Sequence, residues 1–305
     1  MSRIIRCWLM LLLAYTLAAC DRDVNTRHIS SAASSSAVYS VNYPLYYFAK
    51  RIAGPRLNIV FPIPGDIDPA YWQPTSDIIA DFQRTALLLL NGAGYAHWLE
   101  AVSLPEKTQI NTSLNFQTEW IPIRDQTTHS HGLNSLHSHT GFAFTTWLDL
   151  SLAQRQAESV LRALVQLDAE YAGIYRKNYQ ILTKDLHQLD QELLAVGQRL
   201  SGMPVIFSHP VYQYFERRYQ INGRSVHWEP DDILGANEWK ELDLLLAKHP
   251  AKLMIWEGQP SPKISAALIA RGLQVVVFET AANRVGDNDF LEVMTRNIKN
   301  LQSAI

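Results

Sequence analysis

The longest apolar run in this chain of 305 residues lies near its start. Residues 8–19 form a nearly unbroken apolar run, which follows Arg3 and Arg6 and ends in small residues before Cys20. The run is too short to span a bilayer as a stable helix, and its order of basic, apolar and small residues is that of a secretory signal. We predict a signal peptide over residues 1–19 and a lipobox that ends at Cys20. A plain signal peptide with an incidental cysteine is the alternative.

Residues 20–37 are polar and rich in serine and alanine, which predicts a flexible tether after the lipidated Cys20. Asp21 follows the lipidation site, and in Gram-negative lipoproteins this often directs retention on the inner membrane. We therefore expect a periplasmic protein that is anchored to the inner membrane by lipid at Cys20. Cys7 is lost with the signal, so we expect no disulfide in the mature chain.

Short apolar runs alternate with amphipathic stretches in the rest of the chain. The runs predict strands at residues 38–41, 57–63, 86–90, 204–207, 252–256 and 274–278. The stretches between them predict helices at residues 44–52, 74–84, 211–218, 238–248, 261–271 and 290–301. Apolar strands that alternate with helices indicate the α/β class with parallel sheets buried on both faces.

One apolar stripe extends across residues 168–200 in alternating steps of three and four, which predicts a single long helix of roughly 50 Å. A coiled coil is one interpretation, but we favour a strut packed across the domain because strands resume directly afterwards. The expected organisation is an N-terminal α/β lobe over 38–150, linking helices over 151–201 and a C-terminal α/β lobe over 202–305.

Residues 121–146 interrupt this rhythm and contain a histidine-rich loop at 127–139. Four of the ten histidines of the chain lie there, as two His-x-His pairs: His129, His131, His137 and His139. Two such pairs can converge on one ion, so we predict that the loop binds metal. A solvated polar loop with chance histidines is the alternative.

The charge balance and the absence of catalytic motifs exclude several function classes. A formal net charge of −2 offers no basic surplus for nucleic acid. The sequence contains no Gly-x-Ser-x-Gly elbow, no phosphate-binding glycine loop and no His-Glu-x-x-His pair, so we expect no enzyme.

Four segments resemble signatures of the zinc/manganese-type periplasmic solute-binding proteins, which capture metal for ABC importers. They are PLYYFA at 44–49, NGAG at 91–94 followed by Trp98-Leu99, WLD at 147–149 and EGQPSPK at 257–263. The resemblance extends from about residue 38 to the end of the chain. It implies two α/β lobes bridged by one rigid helix, a ligand cleft between the lobes, Zn²⁺ or Mn²⁺ as cargo, an inner-membrane ABC permease as partner and a monomeric chain.

The resemblance also implies four metal ligands, of which this sequence keeps two. Ala70 and Thr145 occupy the two first-lobe positions where histidine is expected. His209 and Glu279 match the two second-lobe positions, each after an apolar run. Two ligands make a weak zinc site because Zn²⁺ prefers four, so the histidine-rich loop is the expected source of replacements. The alternatives are a helix-capping role or a hydrogen-bonded core position for His209, and a surface position for Glu279.

Other side chains are candidates for the cleft if the resemblance holds. Carboxylates near position 70 and on a later short segment could supply oxygen ligands, and nearby aromatic rings could pack or stack on a ligand. These candidates are Asp66, Asp68, Tyr71, Trp72, Trp147, His227 and Glu229.

Three functions remain open from the sequence. The first is a lipid-anchored binding protein that captures a divalent transition metal, zinc before others, for import. The second is a degenerate relative that acts as an accessory or regulatory subunit, or that binds a metal chelate or another small ligand. The third is a metal buffer or chaperone in which only the histidine-rich loop binds metal.

Overall fold

The structure is a computed structural model of the chain. It describes residues 37–123, 128–130, 136–138, 141–230 and 232–305, with the backbone alone for 128–130 and 136–138.

The first lobe is built on a parallel sheet with the strand order β2-β1-β3-β4. Its strands are β1 (Val38–Ser40), β2 (Ile59–Val60), β3 (Leu87–Leu90) and β4 (Gln109–Asn111). Its first two helices are α1 (Tyr43–Ala53) and α2 (Ser76–Arg84). The side chain of Asn42 accepts a hydrogen bond from the Leu45 amide and so begins α1 directly after β1.

Two short antiparallel pairs follow the first sheet. Strand β5 (Pro122–Ile123) pairs with β8 (Gly141–Phe142), and β6 (Thr128–Ser130) pairs with β7 (Leu136–Ser138). Five short 3₁₀ helices occur along the described chain, at His97–Ala101, Glu106–Thr108, Leu114–Glu119, Thr146–Leu148 and Ala169–Tyr171.

Two helices connect the lobes, α3 (Leu150–Leu167) and α4 (Ala172–Leu200). The apolar stripe predicted for a long helix lies buried along α4, which contacts α1 and α3 on one side and helices of the second lobe on the other. The strut interpretation is therefore confirmed, but the helix begins at Ala172 because Asp168 ends α3 and a 3₁₀ turn intervenes.

The second lobe repeats the architecture with the parallel strand order β10-β9-β11-β12. Its strands are β9 (Pro204–Phe207), β10 (Asn222–Ser225), β11 (Leu253–Trp256) and β12 (Gln274–Val277). Its helices are α5 (Gln213–Tyr219), α6 (Ala236–Lys248), α7 (Pro262–Ala270) and α8 (Phe290–Ala304).

The structure confirms the predicted α/β class, with two parallel-sheet lobes and one long helix between them. The sequence pattern missed β4, whose residues are only half-buried and mostly polar, and also β10, which lies outside every predicted strand. Among the described residues, no helix combines the length and the apolar composition that a membrane span requires.

A segment after β12 fastens the second lobe to the first. The Asn283 amide donates to the carbonyls of Pro64 (2.6 Å) and Ile67 (2.7 Å). The Arg284 guanidinium donates to the carbonyls of Phe61 (3.0 Å) and Ile63 (3.2 Å). These four bonds fix the loop after β2 against the second lobe, and the two from the charged Arg284 guanidinium are of the stronger, charge-assisted kind.

Candidate metal centre

Three potential metal ligands lie at the carboxyl ends of neighbouring strands in the second lobe. His209 follows β9, Glu257 directly follows β11, and Glu229 lies four residues beyond β10. The carboxyl ends of parallel strands meet at one edge of a sheet, which is where open α/β sheets bind ligands. The sheet order therefore brings together three side chains that are far apart in sequence, and we call them the donor cluster.

The atoms of the donor cluster are close enough to bind one ion. The Nδ1 atom of His209 lies 2.9 Å from Glu229 Oε1 and 3.8 Å from Glu257 Oε1. One donor atom from each residue lies within 4.8 Å of the other two. Donor atoms on a single ion are about 3 to 4 Å apart because each bond is about 2 Å long, so only small side-chain rotations separate this arrangement from coordination.

Burial makes the charges of the donor cluster costly. Burial by itself lowers the pKa of His209, but the close contact with Glu229 and the charge of Glu257 outweigh it, and the net shift is upward. Burial raises the pKa of Glu257, and the neighbouring carboxylates raise it further while His209 opposes them. Glu257 Oε1 is buried and has no hydrogen-bond partner in the described part of the chain. Buried acidic groups of this kind are stabilised by a bound cation.

The loop after β2 forms the facing wall of the site. Asp68 Oδ1 accepts a hydrogen bond from the Ala70 amide at 2.8 Å, and Ala70 itself is buried and carries no donor atom. The carboxylate of Asp68 acts electrostatically on both His209 and Glu257. Asp68 is thus an acidic group that the first lobe contributes, two residues before Ala70, where the resemblance leads one to expect a histidine.

A cavity of about 590 Å³ separates the donor cluster from four aromatic rings of the first lobe. We call these rings the aromatic wall: Tyr71, Tyr95, Phe144 and Trp147. Tyr95 lies edge-on to both Phe144 and Trp147, with ring centroids 5.2 and 5.7 Å apart. A cavity of this size is within the range that holds small organic ligands.

Thr145 lines the cavity, but its hydroxyl is hydrogen-bonded to the backbone of the second lobe. Its hydroxyl donates to the backbone carbonyl of Val211 at 2.5 Å, and the residue is buried. Trp147 likewise donates from Nε1 to the carbonyl of Thr280 at 2.7 Å. Both side chains hold the lobes together across the cleft, so the second of the two missing histidines is replaced by a lobe-to-lobe contact.

Glu279 was expected to be a metal ligand of the second lobe, but the structure places it outside the donor cluster. Its carboxylate pairs with Arg296 at 2.5 Å, and its backbone is bonded to Asn297 on α8. Successive residues of an extended chain point to opposite sides, and here Thr280 faces the cavity while Glu279 faces α8.

Glu257 is the ligand candidate that the sequence reasoning missed. It is the first residue of the EGQPSPK signature segment. Its position gave a usable signal, because it follows a wholly apolar buried strand just as His209 does. Glu229 and Asp68 were candidates, and the structure brings both to the cleft. His227 is exposed, with its ring 6.2 Å from that of His209.

The histidine-rich loop is described only in part. The backbone pairing of β6 with β7 sets His129 opposite His137, but the side chains of both lie outside the described residues. His131 and His139 lie wholly outside them, as does Cys20. Metal binding by the loop and lipidation of Cys20 stay predictions.

One imidazole and two carboxylates are a donor set that suits divalent transition metals. The donor cluster supplies three ligands, and the facing wall supplies a further acidic group. The site can therefore hold a cation between the lobes with part of its coordination open.

Comparisons with known proteins agree with this geometry. Residues 38–304 match the model of the family described as zinc-uptake complex component A, periplasmic. The high-affinity zinc uptake system protein ZnuA of Bacillus subtilis (strain 168) is 21% identical over 302 residues, which are 95% of this chain and 93% of that protein. The manganese ABC transporter substrate-binding lipoprotein scaA of Streptococcus gordonii is 23% identical over 231 residues, 72% of this chain and 70% of that protein.

The fold is shared with a crystal structure of the metal-dependent lipoprotein YcdH from Bacillus subtilis. The TM-score is 0.75 at 19% identity, and the match covers 88% of this chain and 99% of that one. The family match extends over nearly all of the described residues and includes the donor cluster. The chain therefore belongs to the ZnuA family of zinc-uptake components, which includes substrate-binding proteins of metal ABC transporters.

Proposed function

We propose that this chain is the solute-binding lipoprotein of a metal-ion ABC importer, and that it captures a divalent transition metal in the cleft. Zinc is the first cargo to test and manganese the second, since relatives of both descriptions match the chain. The observation that carries the proposal is the convergence of His209, Glu229 and Glu257 within bonding reach of one ion.

The electrostatics of the cleft support a cation as cargo. The carboxylates of Glu229 and Glu257 in the donor cluster face a third at Asp68. Glu229 and Asp68 both make the ionisation of Glu257 less favourable. A divalent cation removes this repulsion, so part of its binding energy comes from relief of an unfavourable arrangement.

Delivery to a permease is consistent with the remaining features. A lipid at Cys20 would hold the chain at the inner membrane through the tether of residues 20–37. The contacts of Asn283 and Arg284 with the first lobe limit hinge opening, so loading and release would need only small movements of the lobes. We propose a monomeric chain with the permease as its protein partner.

Calorimetric titration with Zn²⁺ and, separately, Mn²⁺ tests the proposal. The titration uses a variant that lacks residues 127–139, so that the histidine-rich loop contributes no signal. We expect one tightly bound ion per chain and a loss of at least about 100-fold in affinity for His209→Ala. Glu279→Ala is the matched control: it removes a second-lobe carboxylate that pairs with Arg296, and it should bind as the parent does.

Two outcomes would overturn the assignment. Equal affinity of the parent and of His209→Ala would show that the donor cluster is not the site. Binding that is present in the full chain but lost on deletion of residues 127–139 would assign the metal to the histidine-rich loop, as a buffer would require.

A further inference from the structure

The donor cluster leaves the coordination of an ion incomplete. Zn²⁺ prefers four ligands and Mn²⁺ commonly takes more, but within the described residues three donors converge, and Asp68 on the facing wall is not among them. The two first-lobe positions where further ligands are expected hold Ala70, which has no donor atom, and Thr145, whose hydroxyl is bonded to Val211. At least one coordination position therefore faces the cavity.

The space in front of that position is much larger than an ion needs. The cavity measures about 590 Å³, and its far side is the aromatic wall. Flat faces and edges of this kind bind planar rings or cationic groups, whereas a hydrated ion gains little from them. The shape of the cleft thus favours an ion that carries a small organic ligand.

Tyr95 supplies an independent sign of a missing ligand. It is 4% exposed, it lines the cavity, and its hydroxyl has no hydrogen-bond partner in the described part of the chain. It sits in a turn whose flanking residues Ala93 and Ala96 both adopt left-handed backbone angles, with φ of 54° and 61°. Such strain is maintained where the surrounding structure requires a particular placement, and an unpaired buried hydroxyl is costly.

The charge of the cavity selects the chemical class of that ligand. Four carboxylates line it, from Asp66, Asp68, Glu229 and Glu257, and no lysine or arginine is found among its described lining residues. One divalent ion leaves this set negative overall, so a carboxylate or phosphate ligand would be repelled. An uncharged or cationic nitrogen donor would not be repelled.

We propose that the cleft binds its metal ion together with a small nitrogen donor of the imidazole or amine class. The donor replaces a water molecule on the ion and lies against the aromatic wall, where a rotation of the Tyr95 ring brings its buried hydroxyl into hydrogen-bond contact with the donor. This inference rests on the proposed function, because it requires an ion at the donor cluster.

Co²⁺ is a suitable probe because its visible absorption changes with the number and type of its ligands. The full-length protein is saturated with Co²⁺ and titrated with imidazole, and in parallel with acetate as an anionic donor of similar size. We expect a saturable spectral change with imidazole and a much weaker one with acetate. We expect imidazole to bind Tyr95→Phe about fivefold more weakly, since one hydrogen bond is lost.

Two controls locate the signal. Tyr39→Phe alters another buried tyrosine of the first lobe, which packs on Phe82, and should match the parent. His209→Ala should abolish the imidazole response, and a response that persists there would place the signal outside the cleft and overturn the inference.

The remaining outcomes are equally decisive. An unchanged Co²⁺ spectrum with imidazole, or equal responses to imidazole and acetate, would refute the co-ligand or its class while leaving the proposed function intact. An unchanged affinity in Tyr95→Phe would refute the role of Tyr95. Failure of the protein to bind any metal at the donor cluster would instead refute the proposed function itself.

Discussion

Both lobes bury polar side chains at the carboxyl ends of their strands, but the two groups differ in chemistry. In the first lobe, Asn42, Asn91, Thr146 and Gln156 form a fully buried network of uncharged groups, which we call the polar network. In the second lobe, the donor cluster occupies the corresponding edge of the sheet with one imidazole and two carboxylates. The carboxyl edge of the sheet thus holds uncharged side chains in the first lobe and ionisable side chains in the second.

The polar network satisfies its own hydrogen bonds. Asn91 Oδ1 accepts from Asn42 at 3.1 Å and from Gln156 at 3.1 Å, while its amide donates to the carbonyl of Phe144 at 2.7 Å. The donor cluster does not reach this state, since Glu257 keeps a buried oxygen without a hydrogen-bond partner among the described residues.

The difference separates a structural from a functional use of buried polarity. A satisfied neutral network stabilises one arrangement of the lobe, including the Phe144 carbonyl beside the aromatic wall. A crowded, incompletely satisfied charge cluster lowers stability and is expected where a ligand supplies the missing interactions. Variants can test this difference: changes in the polar network should affect folding, and changes in the donor cluster should affect metal binding.

The largest expected effect is on folding. Asn91→Ala should lower the free energy of unfolding by about 4 kcal/mol, because three buried partners lose their hydrogen bond at once. Urea unfolding measures this directly. Asn115→Ala, which removes one exposed bond to Ser159, should cost less than about 0.5 kcal/mol. A small loss in Asn91→Ala would mean that the polar network is not structural.

A second variant should move binding and stability in opposite directions. Glu257→Gln removes a proposed metal ligand and should weaken Zn²⁺ binding by about 100-fold, roughly 3 kcal/mol. The same change replaces a buried carboxyl group whose pKa is raised. It removes the cost of keeping that group protonated and should raise the stability of the metal-free protein at pH 7 by at least about 1 kcal/mol. Calorimetric titration and metal-free unfolding measure the two effects. A loss of stability in the metal-free protein would contradict the distinction drawn between the lobes.

The smallest effect concerns Glu216, a carboxylate of the second lobe that packs against Gly223 and does not line the cavity. Burial raises its pKa from 4.5 to about 7, against an opposing effect of Arg224. The folded state therefore holds this proton longer than the unfolded state, and stability falls as pH rises from about 4.5 through 7.

Glu216→Gln should remove that dependence and gain up to about 3 kcal/mol at pH 8. Unfolding measured at pH 5 and pH 8 tests it, with the exposed Glu241→Gln as control. An unchanged pH dependence would show that Glu216 ionises normally. Metal affinity should stay the same in both variants, which distinguishes a buried acid from one that serves the cleft.

The fold was largely predictable because local patterns determine it. Apolar runs such as LLLL at β3 and the stripe along α4 leave few alternatives to buried strands and a packed helix. The short polar strand β4 was missed because its pairing with β3, and not its own pattern, makes it a strand.

The site was predictable only in part. His209 was found because it follows an apolar strand, and Glu257 carried the same signal. Glu279 carried a similar signal but faces α8, since the direction of a side chain at a strand end depends on one residue of register. Which of these strand-end residues faces the cleft is decided by the helix that packs beside the strand, as α8 does beside Glu279.

The sequence by itself determined the α/β class, the long connecting helix and the family resemblance, because each rests on patterns within single elements. The tertiary structure alone decided that Glu229 and Glu257 join His209, because the sheet order β10-β9-β11 makes neighbours of strand ends that are far apart along the chain. It also decided that Thr145 binds a carbonyl of the other lobe and that Tyr95 lines the cavity. Such contacts between distant segments leave no periodic trace in the sequence, because the donor cluster depends on the order of the strands in the sheet and not on the pattern within any one strand.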